Sequence, residues 1–204
     1  YNFVNDATTV NLAIDIWTEC EIKSREDAQV VLVSHDLKKQ WSFSNFSEFF
    51  LSQNKEIFFY QIIFSTFKKI LSENEQGFDL STESQSPIGG GLGGSSSLVI
   101  TILKALHKYL NVSLPLTNDL VHNIEAKFLR TPTGTQDYFP AITGGLNFIN
   151  YTSKKTQNEV FSISNTPFEK NFLLVYTGRS HHSGLNNFEV LKSVDFTVEP
   201  GERI

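Results

Sequence analysis

The run Pro87-Ile88-Gly89-Gly90-Gly91-Leu92-Gly93-Gly94-Ser95-Ser96-Ser97 constrains this chain more than any other segment. Phe78 to Glu83 before it reads as a short strand, and behind it Leu98, Val99, Ile102, Leu103, Leu106 and Leu110 recur at helical spacing. Gly and Ser alone make a flexible linker. A linker needs neither a strand leading in nor an amphipathic helix starting at its last serine. The combination reads instead as a glycine-rich turn whose unobstructed N–H groups, with the positive end of the following helix, wrap phosphates. Glycine is required because a Cβ would hold the phosphate oxygens away and forbid left-handed turns. Ser95 and Ser96 offer hydroxyls to a phosphate oxygen or a metal.

Three kinds of phosphate loop have to be separated. The Walker type ends in Gly-Lys-Ser/Thr, and the chain has no Gly-Lys pair. Gly89-x-Gly91-x-x-Gly94 satisfies the dinucleotide fingerprint formally, but about 20 positions later, where an acidic residue is wanted, stands Lys108-Tyr109-Leu110. The third kind fits. Pro87-x-x-x-Gly91-Leu92-Gly93-Gly94-Ser95-Ser96 resembles the phosphate loop of the GHMP superfamily of galactokinase, homoserine kinase, mevalonate kinase and phosphomevalonate kinase. Gly94 departs from the usual serine after Gly-Leu-Gly, while Ser95 keeps the next hydroxyl.

Two further stretches agree with the resemblance in order and distance. A helix beginning near Thr117 carries Leu120, Val121, Ile124 and Phe128 on one face, stops before Pro132, and places Glu125 beside that stripe, where partial burial is expected. It looks like the family's metal-ligand helix. Gly134-Thr135-Gln136-Asp137, followed by Gly144-Gly145, resembles the catalytic-base segment of its sugar kinases, most of all those acting on heptose 7-phosphate. The resemblance implies ATP and Mg²⁺, with Gly89, Gly90, Gly91, Leu92, Gly93, Gly94, Ser95 and Ser96 on the nucleotide, Ser95 and Glu125 on the metal, and Asp137 as the base. The alternative for Asp137 is a turn-capping role in a Gly/Pro-rich loop. Gln136, Arg130, Arg179 and His182 are candidates for the sugar or its phosphate. Adjacent His181 and His182 invite a zinc reading, but loop neighbours point apart and no nearby Cys or acid completes a set.

The implied reaction is transfer of the γ-phosphate of ATP to a hydroxyl of a sugar or sugar phosphate. The alternatives are a family member that binds a ligand as a sensor and an enzyme of isoprenoid intermediates. The resemblance also implies a cytoplasmic protein and admits a homodimer. A net charge of −5 with no clustered Lys and Arg argues against a nucleic-acid surface. Cys20, the one cysteine, cannot close an intrachain disulfide, which fits a reducing compartment. The most apolar stretch, Ile57 to Leu71, is short and interrupted by polar residues, so it predicts a Phe-rich buried helix rather than a membrane span.

Elsewhere Asn11 to Lys23 alternates as a single half-buried strand, with Gln29 to Val33 and Lys39 to Phe43 as its partners in an antiparallel meander. Asn45 and Glu48 mark a helix start, and strands are expected at Gly145–Tyr151, Val160–Ile163 and Phe172–Thr177. The class is α+β. The resemblance implies a two-layer domain over residues 1–165, with a left-handed βαβ phosphate-loop unit, that would bind nucleotide. It also implies that a second, ferredoxin-like domain would open at 166–204. Without Met, Tyr1 is not an initiator, and the reading expects natural chain beyond both ends.

Overall fold

The computed structural model describes residues 6–113, 115–131, 133–152, 155–176 and 178. The chain runs β1 (Ala7–Leu12), β2 (Thr18–Ser24), β3 (Val30–Ser34), β4 (Lys39–Phe43), α1 (Phe46–Leu51), α2 (Phe58–Ser65), α3 (Lys68–Glu73), β5 (Phe78–Ser84), α4 (Gly94–Tyr109), α5 (Asn118–Leu129), α6 (Tyr138–Thr143), β6 (Leu146–Tyr151) and β7 (Thr156–Phe161). This is the expected mixture of helices and sheets. Among the described residues no helix is long and apolar enough to cross a membrane.

A four-stranded sheet has the order β2-β5-β3-β4, with β3 and β5 parallel and the other pairs antiparallel. In β3 the buried residues are Val30, Leu32 and Ser34; in β5 they are Phe78, Leu80 and Thr82. The period of two puts each set on one face. The parallel register sets Val30 against Phe78 and Leu32 against Leu80, so both faces turn to the same core. Helix α4 supplies the opposing wall with Val99, Ile102, Leu103 and Leu106, all at most 2% exposed. Between the layers lies an aromatic cluster in which Phe49, Phe64 and Phe78 stand at ring-centroid distances of 5.0 and 5.7 Å, tilted or edge-on. Such tilted contacts match the quadrupoles of the rings better than a face-to-face stack.

Local signals explain the helix starts. Asn45 Oδ1 accepts the Glu48 amide at 2.9 Å, and Glu48 Oε2 accepts the Ser44 amide at 2.7 Å, a capping box displaced by one residue at its second bond. Thr117 caps α5 through the Leu120 amide.

The structure corrects several expectations. Asn11–Lys23 is not one strand. Its first part belongs to β1, which pairs with β6 in a separate three-stranded sheet ordered β1-β6-β7, and its second part is β2. Between them Asp15 and Trp17 form a crossing held by a hydrogen bond from the indole to Asp15. Nor is there a meander, because β5 lies between β2 and β3. The buried stretch Ile57–Leu71 is two helices, broken at Thr66 and Phe67. Helix α4 starts at Gly94, three residues before the last serine of the run. β7 occupies 156–161 rather than 160–163, and residues 172–176 form no strand.

The aromatic core yields a stability test. Phe64 is fully buried, so Phe64→Ala is expected to lose about 3–5 kcal/mol in urea unfolding, the usual cost of emptying a large aromatic site. Leu51, 73% exposed, should change stability by less than about 0.5 kcal/mol when replaced by Ala. Equal losses at the two positions would contradict the core described above.

Candidate active site

The glycine run is a turn of alternating handedness. Gly89, Gly91 and Gly93 have φ of +70°, +73° and +67°. Gly93 occupies the N-cap position of α4, and no side chain caps the helix. The first amides of α4 are therefore left for a ligand, and the positive end of a 16-residue helix adds its partial charge there. β2 steadies this end: Thr18 Oγ1 lies 2.7 Å from Ser97 Oγ and 2.9 Å from Thr101 Oγ1.

Glu125 comes to this turn from α5. It is 3% exposed, and its Oε1 accepts the Ser95 hydroxyl at 2.6 Å. Ser96 Oγ lies 2.9 and 3.0 Å from the two carboxylate oxygens. Among the described residues no Lys or Arg forms an ion pair with it. Burying a carboxylate without a cation is costly, and here hydroxyl donors offset part of that cost.

Asp137 comes from the segment ahead of α6. A Cβ added to Gly93 would stand 3.0 Å from Asp137 Cβ and 3.3 Å from its Oδ2, so the turn and this carboxylate are in contact and only glycine fits both the space and the positive φ. Asp137 holds the N-cap position of α6 but makes no side-chain capping bond, which removes the capping explanation for it. Burial raises its pKa above the ordinary carboxylate range, and the nearby charge of Glu125 raises it further.

The segment bearing Asp137 is pinned from several sides. Asn11 Nδ2 on β1 donates to the Gln136 carbonyl at 2.7 Å, and Thr135 Oγ1 donates to the Tyr151 hydroxyl at 3.3 Å. Thr133 Oγ1 is 3.0 Å from the Tyr138 hydroxyl and 3.2 Å from His122 Nδ1. Asn11, Thr133 and Tyr138 carry no motif, and their part is visible only once the strands and helices are assembled. The Gln136 amide folds back over Gly134, where an added Cβ would come within 2.0 Å of Oε1. Arg130 ends α5 in left-handed backbone, and its guanidinium lies 6.0 Å from the Phe58 ring centroid. Arg179 and His182 lie outside the described residues.

Loop, Ser95, Ser96, Glu125 and Asp137 thus converge, from three parts of the sequence. The donor set is all oxygen, two carboxylates and hydroxyls, which suits Mg²⁺ completing its shell with water and nucleotide phosphates. Among the described residues no group of three or more His, Cys, Asp or Glu gathers as a self-sufficient metal cage.

Residues 59–145 match the family model of the GHMP kinases N terminal domain, and the protein therefore contains a GHMP kinase N-terminal domain. The chain is 31% identical over 150 residues to the D-glycero-alpha-D-manno-heptose 7-phosphate kinase of Campylobacter jejuni, covering 72% of this chain and 43% of that protein. Its fold is similar to a D-glycero-D-manno-heptose 1-phosphate kinase from Bacteriodes thetaiotaomicron, with a TM-score of 0.69 and 24% identity over 78% of this chain and 52% of that one. It is also similar to Lactococcus lactis galactokinase complexed with galactose, with a TM-score of 0.62 and 20% identity over 80% of this chain and 42% of that one. The chain spans about half the length of these relatives or less.

The carboxylate pair has a measurable signature. With the Asp137 pKa raised by folding, the wild type loses stability as pH rises from the unfolded value near 4 through the folded one. Asp137→Asn removes that charge. It is expected to melt above wild type at pH 7, with the gain shrinking toward zero as pH falls to about 4. Melting curves of both proteins across this range check it; a variant less stable than wild type at pH 7 would refute the cost assigned to the buried Asp137 charge.

Proposed function

We propose that the intact protein is an ATP-dependent kinase that phosphorylates a hydroxyl of a sugar or sugar phosphate, with heptose 7-phosphate as the foremost acceptor. The single observation that carries this reading is the contact between an uncapped, glycine-formed helix start and two buried or half-buried carboxylates, Glu125 and Asp137. Phosphoryl transfer asks for little covalent chemistry from a protein, so positioning and charge stabilisation suffice. The likeness to the Campylobacter jejuni enzyme supports the choice of acceptor.

In this reading the turn formed by Gly89 to Gly94 and the amides at the start of α4 bind phosphate oxygens, and Leu92, Ser95 and Ser96 complete the cradle. Ser95 and Glu125 hold Mg²⁺, which when bound neutralises charge on the phosphate oxygens. Asp137 orients the acceptor hydroxyl and takes its proton as that proton turns acidic late in the transfer. Its raised pKa brings it nearer the value a base needs at neutral pH. Gln136 supplies an amide for vicinal hydroxyls. Arg130, Arg179 and His182 remain proposed contacts to the acceptor or its phosphate. Residues 1–165 would form the nucleotide-binding domain, and residues 166–204 would open the second.

Two measurements test this. Asp137→Asn should lower kcat at least about 10²-fold while nucleotide binding survives, since Asp137 faces the acceptor and not the nucleotide. Near-normal turnover would sink the base assignment. Offered heptose 7-phosphate, galactose, fucose and mevalonate with Mg²⁺-ATP, the intact protein should release ADP fastest with heptose 7-phosphate, and EDTA should abolish the signal. A site built to pair sugar hydroxyls leaves its polar groups unpaired against mevalonate, so efficient mevalonate turnover without sugar activity would overturn the substrate class.

A further inference from the structure

Helix α6 is six residues long, contains Pro140, and starts at Asp137 without a side-chain cap. An isolated helix of that length does not hold itself in water. Burial of Tyr138 seats one face of it in the core, and its two ends are held by asparagines. At the front, Asn11 Nδ2 donates to the Gln136 carbonyl at 2.7 Å. At the back, Asn147 Nδ2 donates to the Gly144 and Gly145 carbonyls at 2.9 and 3.2 Å, and Asn147 Oδ1 accepts the Thr143 hydroxyl at 2.8 Å.

The two asparagines are one feature of the sheet. Asn11 on β1 and Asn147 on β6 stand directly opposite each other in the antiparallel register, so their side chains share a face and lie about 5 Å apart at Cβ. Carbonyls only accept, which fixes the amide nitrogen of each asparagine as the atom that meets them. Asn147 is 0% exposed, and its Oδ1 accepts a second hydrogen bond, from Asn158 Nδ2 at 2.7 Å. A fully paired amide in a core fixes orientation. Asn11 acts closer to the carboxylate. The Gln136 carbonyl belongs to the peptide group whose nitrogen is that of Asp137, so the bond from Asn11 sets the plane from which the Asp137 side chain projects.

We propose that Asn11 is a positioning residue for Asp137: its amide, set on β1 opposite Asn147, holds the Gln136–Asp137 peptide and with it the approach of the carboxylate to the phosphate loop at Gly93. β1 is already paired with β6 along its backbone, so the strand needs no side-chain bond to Gln136 to keep its place. The half-buried amide of Asn11 therefore adds little to the sheet and much to the placement of the residue after Gln136. That placement matters because moving a reacting group by about 1 Å costs on the order of 100-fold in rate. This inference rests on the kinase reading through the role given there to Asp137.

The test uses the intact protein with Mg²⁺-ATP and the acceptor that gives the fastest ADP release, with thermal melting as the measure of fold. Asn11→Leu keeps the volume of the side chain and removes the donor. It is expected to lower kcat about 10- to 100-fold while KM for ATP stays within about twofold of wild type. The decisive measurement repeats the substitution in Asp137→Asn. If Asn11 acts through Asp137 the two changes are not additive, and Asn11→Leu lowers the residual kcat of Asp137→Asn by less than about twofold. A purely structural Asn11 would lower kcat by the same factor in both backgrounds or weaken ATP binding, and either result overturns the proposal. Should Asn11→Leu fail to fold, Asn11→Ser, whose hydroxyl is too short to reach the carbonyl, takes its place in both backgrounds. An Asn11→Leu protein as active as wild type overturns the positioning role and leaves the kinase reading standing. Near-normal turnover of Asp137→Asn alone would remove the base and this inference with it. If wild type transfers phosphate to none of the acceptors, the kinase reading itself fails and the inference falls too.

Discussion

The hydrogen bonds from Ser95 and Ser96 to Glu125 are the interaction on which the rest of this site depends. They join the start of α4 to the middle of α5. Leaving a carboxylate buried without partners costs several kcal/mol, whereas hydrogen bonds to a charged group contribute about 1.5–3 kcal/mol each. The arrangement is therefore near balance, and it persists because the apolar faces of α4 and α5 pack around it. Val121 and Ile124 on α5 and Val99 and Leu103 on α4 are buried in the same core. Packing holds the helices, the helices hold the carboxylate, and the carboxylate holds the loop serines.

A second constraint acts in the opposite sense. Asp137 lies against Gly93 and within the field of Glu125, and both burial and that field disfavour its charge. Stability alone would replace it. A carboxylate kept at such cost, with no capping bond to justify it, is where a functional group is to be sought. The segment that carries it is fastened by β1, β6 and α5 through Asn11, Tyr151 and His122, so three elements over-determine its position. That matches what a positioning site needs, since small displacements of a reacting group cost large factors in rate.

Legibility in the sequence followed the range of the interactions. The strand-turn-helix around the glycine run was readable because each part has a local cause: period two in Phe78–Ser84, left-handed backbone at Gly89, Gly91 and Gly93, and helical spacing after Ser97. The partial burial expected of Glu125 was readable from its place beside the stripe on α5 and proved nearly complete. The crossing at Asp15–Trp17 was not, because Leu12, Ile14, Ile16, Cys20 and Ile22 keep one parity through it, so alternation cannot show that the chain changes sheets. Helix α6 was missed for another reason: six residues with Pro140 inside them are too few to display a period.

By itself the sequence determined the glycine turn, the helix behind it, the α+β class and the residue types that mark the GHMP kinase N-terminal domain, because backbone freedom, periodicity and motif order are written along the chain. Tertiary structure decided which residues meet. It inserted β5 between β2 and β3, sent β1 to a second sheet, brought Asp137 against Gly93, and set Ser95 and Ser96 against Glu125. Those contacts join residues whose local patterns are indifferent to one another. They are selected only by the shared burial of faces that no single segment can bury alone.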